Sequence, residues 1–289
     1  MKKLLIAATI ISMMQLCSAG IGKPAVAAVA HGGHNSPAKP HSRMAYKSGS
    51  DISGHRVSSK KFFSLNVKQG DKLGNIFSRT ISYKGDGFTE LVFRAGGTGV
   101  YTVVDNNPAR PVFEGVFRYD GRPESNYRVE VSDDGKTISY NGKSSANTDA
   151  SGVLFNALIW GTPPDKIGVG DTWTVNIPQA WELGGAGQQK ITVLGIDESN
   201  NTVYLMREGS SDGFYDNDAK QVSVNKDGKA TRMDVIPGNS HWVGYTTFKN
   251  GFVISDELLV TRSIKLTADN VKVDAFEREY ILLNAMPVS

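Results

Sequence analysis

From Phe62 to the C-terminus the chain alternates between short runs of β-branched and aromatic residues and clusters of Gly, Asp and Asn. "IFSRTISY" runs into "KGDG", "VYTVV" into "DNNP", "YRVEV" into "SDDGK", "KITVLGI" into "DESNN" and "TVYLMRE" into "GSSDG". Runs of strand length separated by turn formers predict antiparallel β-hairpins. Alternation within "YRVEV" and "QVSVN" gives each strand one buried and one wet face. The expected fold is therefore all-β, with antiparallel meanders closing into a sandwich or an open, barrel-like sheet. "RAGGTGVY" and "ELGGAGQQ" lack the spacing of a phosphate-binding loop and read as hairpin loops that use the freedom of glycine.

Helical pattern is scarce. One short helix is expected near 149–160, within "NTDASGVLFNALIWG", where Asn147 or Asp149 could cap it and Leu154, Leu158 and Ile159 fall at helical spacing. "VDAFEREYILLN", 273–284, is expected to be a final long strand, because it follows the hairpin sequence "SIKLTADNVKV".

An internal echo suggests two related β units. Gly70-Asp71-Lys72 and Gly170-Asp171-Thr172 both open a strand, and Asp-Gly-Lys recurs at 134–136 and 227–229. The units would span 59–160 and 161–289, as two domains or as one continuous domain. Gly-Asp and Asp-Gly-Lys are also common turn chemistry, which alone would produce the same echo.

The N-terminus carries an address. Lys2 and Lys3 precede an apolar run, Leu4 to Leu16, and then small residues, the layout of a secretory signal peptide over 1–30 cleaved after Ala19 or after Ala30. The run is too short to span a bilayer comfortably. Met14-Gln15-Leu16 before Cys17 lacks the small residue expected ahead of a lipidated cysteine. Residues 31–58, rich in Gly, Ser, Pro and His, read as a disordered basic tether. Six basic and no acidic side chains occur before Asp51, so the net +3 of the chain leaves −3 for the remainder. A nucleic-acid binder wants a basic face on its folded body, which this balance does not offer. The basic tail suits weak attraction to anionic envelope polymers.

Reactive residues are few. Cys17 is the one cysteine, so the body has none for a thiol nucleophile or a Cys-based zinc site. Among the five histidines, His31, His34, His41 and His55 lie in the tether, leaving His241. Ser240 beside it would point to the opposite face of a strand, and no G-x-S-x-G elbow is present. "HGGH", exposed as a new N-terminus by cleavage after Ala30, could bind copper or nickel only weakly. Asp212, Asp216 and Asp218 form an acidic loop that could offer hard oxygen ligands to calcium, although their order does not match a known calcium loop.

Aromatic residues supply the candidate ligand contacts. Trp160 and Trp173 are expected in the core. Trp181, Phe214, Tyr215 and Trp242 flank turns, with Trp181 and Tyr215 expected exposed, and could stack on a sugar or anchor a partner. The expectation is an exported bacterial envelope protein, periplasmic or extracellular, that is non-enzymatic and uses no cofactor. It would bind a glycan, lipid or protein through a sheet face or loops, without nucleic acid or a transmembrane segment. The alternative is a secreted hydrolase acting on polysaccharide with two carboxylates, whose separation the sequence does not give.

Overall fold

The computed structural model describes residues 55–289, apart from 108–109, 133–136, 147–148, 214–220, 227–228, 270 and 289. The signal segment and most of the tether lie outside the described residues. The end of the expected tether is inside them: β1 (Val57–Ser58) pairs with β8 (Lys166–Ile167) in a two-stranded sheet. Arg56 bonds Asp171 at 2.9 Å and His55 bonds Glu198 at 2.7 Å, fastening this segment to the body. Two single-turn helices, α1 (Lys60–Phe63) and α2 (Ala157–Trp160), complete the described non-strand elements.

The remaining strands form one antiparallel sheet. The first half supplies β2 (Lys72–Gly85), β3 (Leu91–Asp105), β4 (Val112–Tyr119), β5 (Ser125–Val131), β6 (Thr137–Tyr140) and β7 (Lys143–Ala146). The second half supplies β9 (Thr172–Ile177), β10 (Gly187–Asp197), β11 (Thr202–Ser211), β12 (Gln221–Lys226), β13 (Lys229–Lys249), β14 (Phe252–Ala268) and β15 (Val271–Pro287). Their order is β7-β6-β5-β4-β3-β2-β15-β14-β13-β11-β10-β9, with β12 pairing β13 off this path. Sequence neighbours pair through hairpins, and the two halves join where β2 meets β15.

The sheet folds back on itself. Four strand spacings separate β4 from β14, about 19 Å in a flat sheet. Yet the rings of Phe113 on β4 and Phe252 on β14 lie 6.3 Å apart, edge to face. The connection between the halves packs inside the curl, where Val153, Leu154, Ile159 and Trp160 are buried. Val253 N–H donates to the Val153 carbonyl at 2.9 Å, and Leu154 bridges to Phe252. Alternation is clean on the long strands: Asp256, Leu258, Val260, Arg262, Ile264 and Leu266 of β14 are all buried on one face.

Two expectations need correction. "FTELVFRA-GGTG-VYTVV" is not a hairpin; Leu91–Asp105 runs through the glycines as one strand. The reason is steric. Gly99 faces Phe117, where a Cβ would come within 2.8 Å of the ring, so the glycine there makes room for an aromatic neighbour and closes no turn. The helix near 149–160 shrinks to Ala157–Trp160, capped by Asn156, whose Oδ1 accepts from Leu158 N–H at 2.9 Å. Asp149 is not its cap. Upstream, the chain is held by bridging to β14, which outcompetes helix formation.

The Gly-Asp echo is structural as well as sequential. Asp71 Oδ2 accepts from Lys68 N–H at 2.8 Å, and Asp171 Oδ2 accepts from Gly168 N–H at 2.8 Å. Gly70 and Gly170 take φ of 89° and 88°. Gly70 N–H donates to the Val103 carbonyl and Gly170 N–H to the Val193 carbonyl, both at 2.8 Å. Val103 and Val193 N–H in turn donate to the carbonyls of Asp71 and Asp171, both at 2.9 Å. Both valines sit at register shifts, so each turn docks on a bulge of the following strand. Asp171 is thus a turn former, and Trp173, which donates from Nε1 to the Trp160 carbonyl at 2.9 Å, belongs to the scaffold.

Candidate functional site: an aromatic wall beside an ion-paired belt

The inner face of the sheet carries two apolar clusters with charge between them. The larger gathers residues from nearly every strand, including Val129, Ile191, Leu205, Phe248 and Leu283. The smaller contains Tyr83, Val222, Val224, Met233, Val235, Ile264 and Leu266. Between them lie Arg79, Arg262, Glu277 and Glu279. Arg79 Nε meets Glu279 Oε1 at 2.8 Å and its Nη2 meets Glu182, which comes from the β9–β10 loop. Arg262 lies 3.1 Å from Glu277 and 3.4 Å from Glu279. Charges this deep are tolerable only when paired.

A second buried pair fixes the crossing segment. Arg207 donates to Asp256 Oδ2 at 2.6 Å and to the Ala150 carbonyl at 2.7 Å, while its guanidinium lies 4.9 Å from the Trp160 ring centre. Thr246 Oγ1 donates to the other Asp256 oxygen at 2.6 Å. Ala150 N–H donates to Glu182 Oε2 at 2.5 Å. Both backbone groups of Ala150 are thereby clamped, and the neighbouring Asp149 is placed by them.

A wall of rings lines the inner face of β2 to β6. Phe77 and Tyr119 are 5.5 Å apart, Phe117 and Tyr127 5.7 Å, and Tyr127 and Tyr140 5.7 Å, while Tyr119 stacks along Phe117 at 6.4 Å. Tyr101 packs against Phe117 at 5.2 Å and leads into the core. Phe77, Tyr119, Tyr127 and Tyr140 are half-buried, and all four pack against the larger apolar cluster. Inward glycines alternate with these rings: Gly97 is paired with Phe77 and Tyr119, and Gly115 with Tyr127.

Asp149 itself is exposed. Surrounding protein nonetheless strips enough water from its carboxyl to raise its pKa, a shift that nearby Arg79 only partly opposes. Burial also raises Tyr101, Tyr119 and Tyr140; the Asp149 charge adds to all three, and Arg122 opposes the rise at Tyr119.

Trp181 and Trp242, singled out in the sequence, fall elsewhere. Trp181, expected exposed, is 6% exposed, and Trp242 is 4% exposed; their rings pack edge to face at 5.1 Å. The β9–β10 loop folds inward because Trp181 and Gly184 exchange backbone bonds of 2.9 and 3.1 Å and Gly185 N–H donates to the Asp212 carbonyl. Trp242 Nε1 donates to Gln189 at 3.1 Å, a packing role. Phe214, Tyr215, Asp216 and Asp218 lie outside the described residues; Asp212 is exposed. Among the described residues no group of three or more metal-ligating side chains is gathered. His241 is exposed on β13, while Ser240 faces inward and bonds Ser211 at 2.8 Å.

The wall is hard to read from sequence because it holds no tryptophan and its rings are spread over β2, β4, β5 and β6. A usable signal was present: Gly97, Gly99 and Gly115 alternate along β3 and β4 with Tyr101, Phe117 and Tyr119, a small–large pattern on one strand face.

No protein-family model and no curated protein matches the chain. Among solved structures, it overlaps an outer membrane channel from Pseudomonas putida F1 at 9% identity and a TM-score of 0.21, over 77% of this chain and 98% of that one. It overlaps Ail, the attachment invasion locus protein of Yersinia pestis, at 10% identity and a TM-score of 0.16, over 75% and 99%. Overlap at that level assigns neither fold nor function. No helix among the described residues is long and apolar enough to cross a membrane, which leaves strand-borne membrane crossing unaddressed.

Proposed function

We propose that this is an exported protein of the bacterial envelope that binds a ligand on the concave aromatic wall formed by β2 to β6. The observation that carries the reading is the row of half-buried rings Phe77, Tyr119, Tyr127 and Tyr140 on the inner face of the sheet, backed by the buried Phe117. Rings held edge to face by their neighbours cost little entropy to use as a binding surface. The N-terminal Lys2, Lys3 and Leu4–Leu16 pattern supports export. A hydrolytic role would need two carboxyl groups free to handle protons, whereas Glu182 and Glu279 share Arg79.

The test is a calorimetric screen of the secreted chain against oligosaccharides, fatty acids, alkylammonium compounds and envelope extracts, repeated with Tyr119→Ala/Tyr127→Ala. Loss of the best ligand's affinity by tenfold or more in the folded double variant is expected, on the scale of removing two stacking faces. Unchanged affinity, or turnover of a polysaccharide without stable binding, would overturn the proposal.

A further inference from the structure

Strand pairing gathers four exposed apolar side chains at one place on the outer face of the sheet. Met286, Ile76, Val288 and Val116 are 59%, 58%, 42% and 37% exposed. Met286 of β15 pairs with Gly74 of β2, Gly74 with Val100 of β3, and Val100 with Val116 of β4. Ile76 follows in the adjacent row, and Val288 covers Gly74, its Cγ2 2.7 Å from where a Cβ would stand. The intervening Leu73, Tyr101 and Phe117 are buried in the larger cluster, so alternation turns this row outward. Contiguous exposed apolar surface of this kind marks a docking face.

We propose that this patch binds a second copy of the chain, sheet face against sheet face, about a twofold axis running along the row from Met286 to Val116. The proposal is independent of the aromatic wall, which lies on the opposite face of the sheet.

Self-complementarity carries it. On β4, Glu114 and Arg118 stand on either side of Val116, both exposed. On β3, Thr102 and Thr98 stand on either side of Val100, in register with Glu114 and Arg118. A half-turn about the row lays Glu114 of each copy against Arg118 of the other and Thr102 against Thr98. The central apolar residues then meet their own counterparts, as a closed, isologous interface requires. Arg118 donates from Nε to Glu124 at 2.6 Å, yet its side chain is 75% exposed, and its remaining N–H groups can serve a second carboxylate.

The charge around the patch selects the occupant. An anionic lipid surface is met by a rim of cations. Here Lys72, Arg118 and Arg128 are balanced by Glu114, Glu124 and Glu130, with Arg128 bonded to Glu130 at 2.8 Å and Glu114 in register with Arg128. A balanced rim with opposite charges on the two sides of an apolar row fits its own rotated image better than a membrane.

Sedimentation velocity of the full chain across a concentration series tests the proposal, and a reversible dimer is expected. Ile76→Lys/Met286→Lys is expected to weaken it at least about tenfold, the scale of losing a central interface contact. The uncharged Ile76→Thr/Met286→Gln should act in the same direction, and thermal melting confirms that each variant folds. Glu114→Arg and Arg118→Glu should each weaken self-association by facing like charges across the axis. Mixed in equal amounts, these two variants should pair with each other, because both contacts then join opposite charges. A chain that stays monomeric throughout the series, or a dimer that survives both Ile76/Met286 variants, overturns the proposal. A dimer sensitive to those variants in which Glu114→Arg and Arg118→Glu fail to pair on mixing overturns the twofold arrangement. Co-sedimentation of a monomeric chain with phosphatidylglycerol vesicles, lost in Ile76→Thr/Met286→Gln, assigns the patch to lipid and overturns the second copy.

Discussion

Arg207 and Asp256, both essentially excluded from solvent, meet at 2.6 Å on the inner face of the sheet and together hold the segment that carries Asp149. Arg207 spends a second donor on the Ala150 carbonyl. The ion pair thus ties the segment that connects the two halves of the chain to β11 and β14.

Asp256→Asn leaves the Arg207 charge without its counter-ion in a dry interior. The expected cost is about 3 to 5 kcal/mol in a urea or guanidinium unfolding experiment, the usual price of removing one partner of a buried pair. Replacing both partners together, Arg207→Met with Asp256→Leu, is expected to cost less than the single change. A single-variant loss below about 1 kcal/mol would place the pair among the weak surface bridges.

Asp149 reports through pH. Its folded-state pKa is raised by desolvation, so the folded form holds its proton more tightly than the unfolded chain does. The stability it supplies is fully present below the unfolded carboxylate range and is lost as pH rises through the folded value. Asp149→Asn is therefore expected to raise Tm at neutral pH, with the gain vanishing in acid. Melting curves across pH 3 to 8 check this; a lower Tm at neutral pH would contradict it.

The glycines of the wall are space, not hinges. At Gly115 a Cβ would come within 2.5 Å of Phe117, and at Gly99 within 2.8 Å of the same ring. Gly115→Ala or Gly99→Ala is expected to destabilise by about 1 to 3 kcal/mol, as overpacking does. Both should also weaken the ligand of the wall by pushing Phe117 forward. Ala at Gly152, where no atom lies within 4 Å and φ is not left-handed, serves as the control.

Asp71 and Asp171 make equivalent turns, but Asp171 also receives Arg56 at 2.9 Å. Each carboxylate-to-amide bond is worth about 1 kcal/mol. Asp71→Ala and Asp171→Ala are expected to lose similar stability, and Arg56→Ala to lose a few tenths only, because that bridge is exposed. A large loss from Arg56→Ala would show that the N-terminal strap matters more than the turn.

Most of the architecture was legible in the residues. Asp86-Gly87 and 198–201 fall between the strands they were expected to join, β14 and β15 pair as the expected hairpin, and the long closing strand is present as Val271–Pro287. The misreading at Gly96–Gly99 has a physical source: glycine that permits a turn and glycine that admits a neighbouring ring look alike in sequence, and the ring is on another strand. Burial of Trp181 was hidden for a related reason. Its loop is drawn inward by backbone bonds to Gly184 and Asp212, which no side-chain pattern announces. The ion-paired belt was equally out of sight, since Arg79, Glu182, Arg262 and Glu279 come together only after four separate segments are wound into one curl.

The most direct test is 19F NMR of the full chain labelled with 3-fluorotyrosine, with resonances assigned by single Tyr→Phe changes, before and after adding the tightest compound of the ligand screen. The resonances of Tyr119, Tyr127 and Tyr140 should shift together, while Tyr245 on the opposite face of the sheet stays fixed. Shifts confined to Tyr245, with the three inner tyrosines unmoved, would mean that the ligand sits on the convex face and that the concave wall is only part of the core.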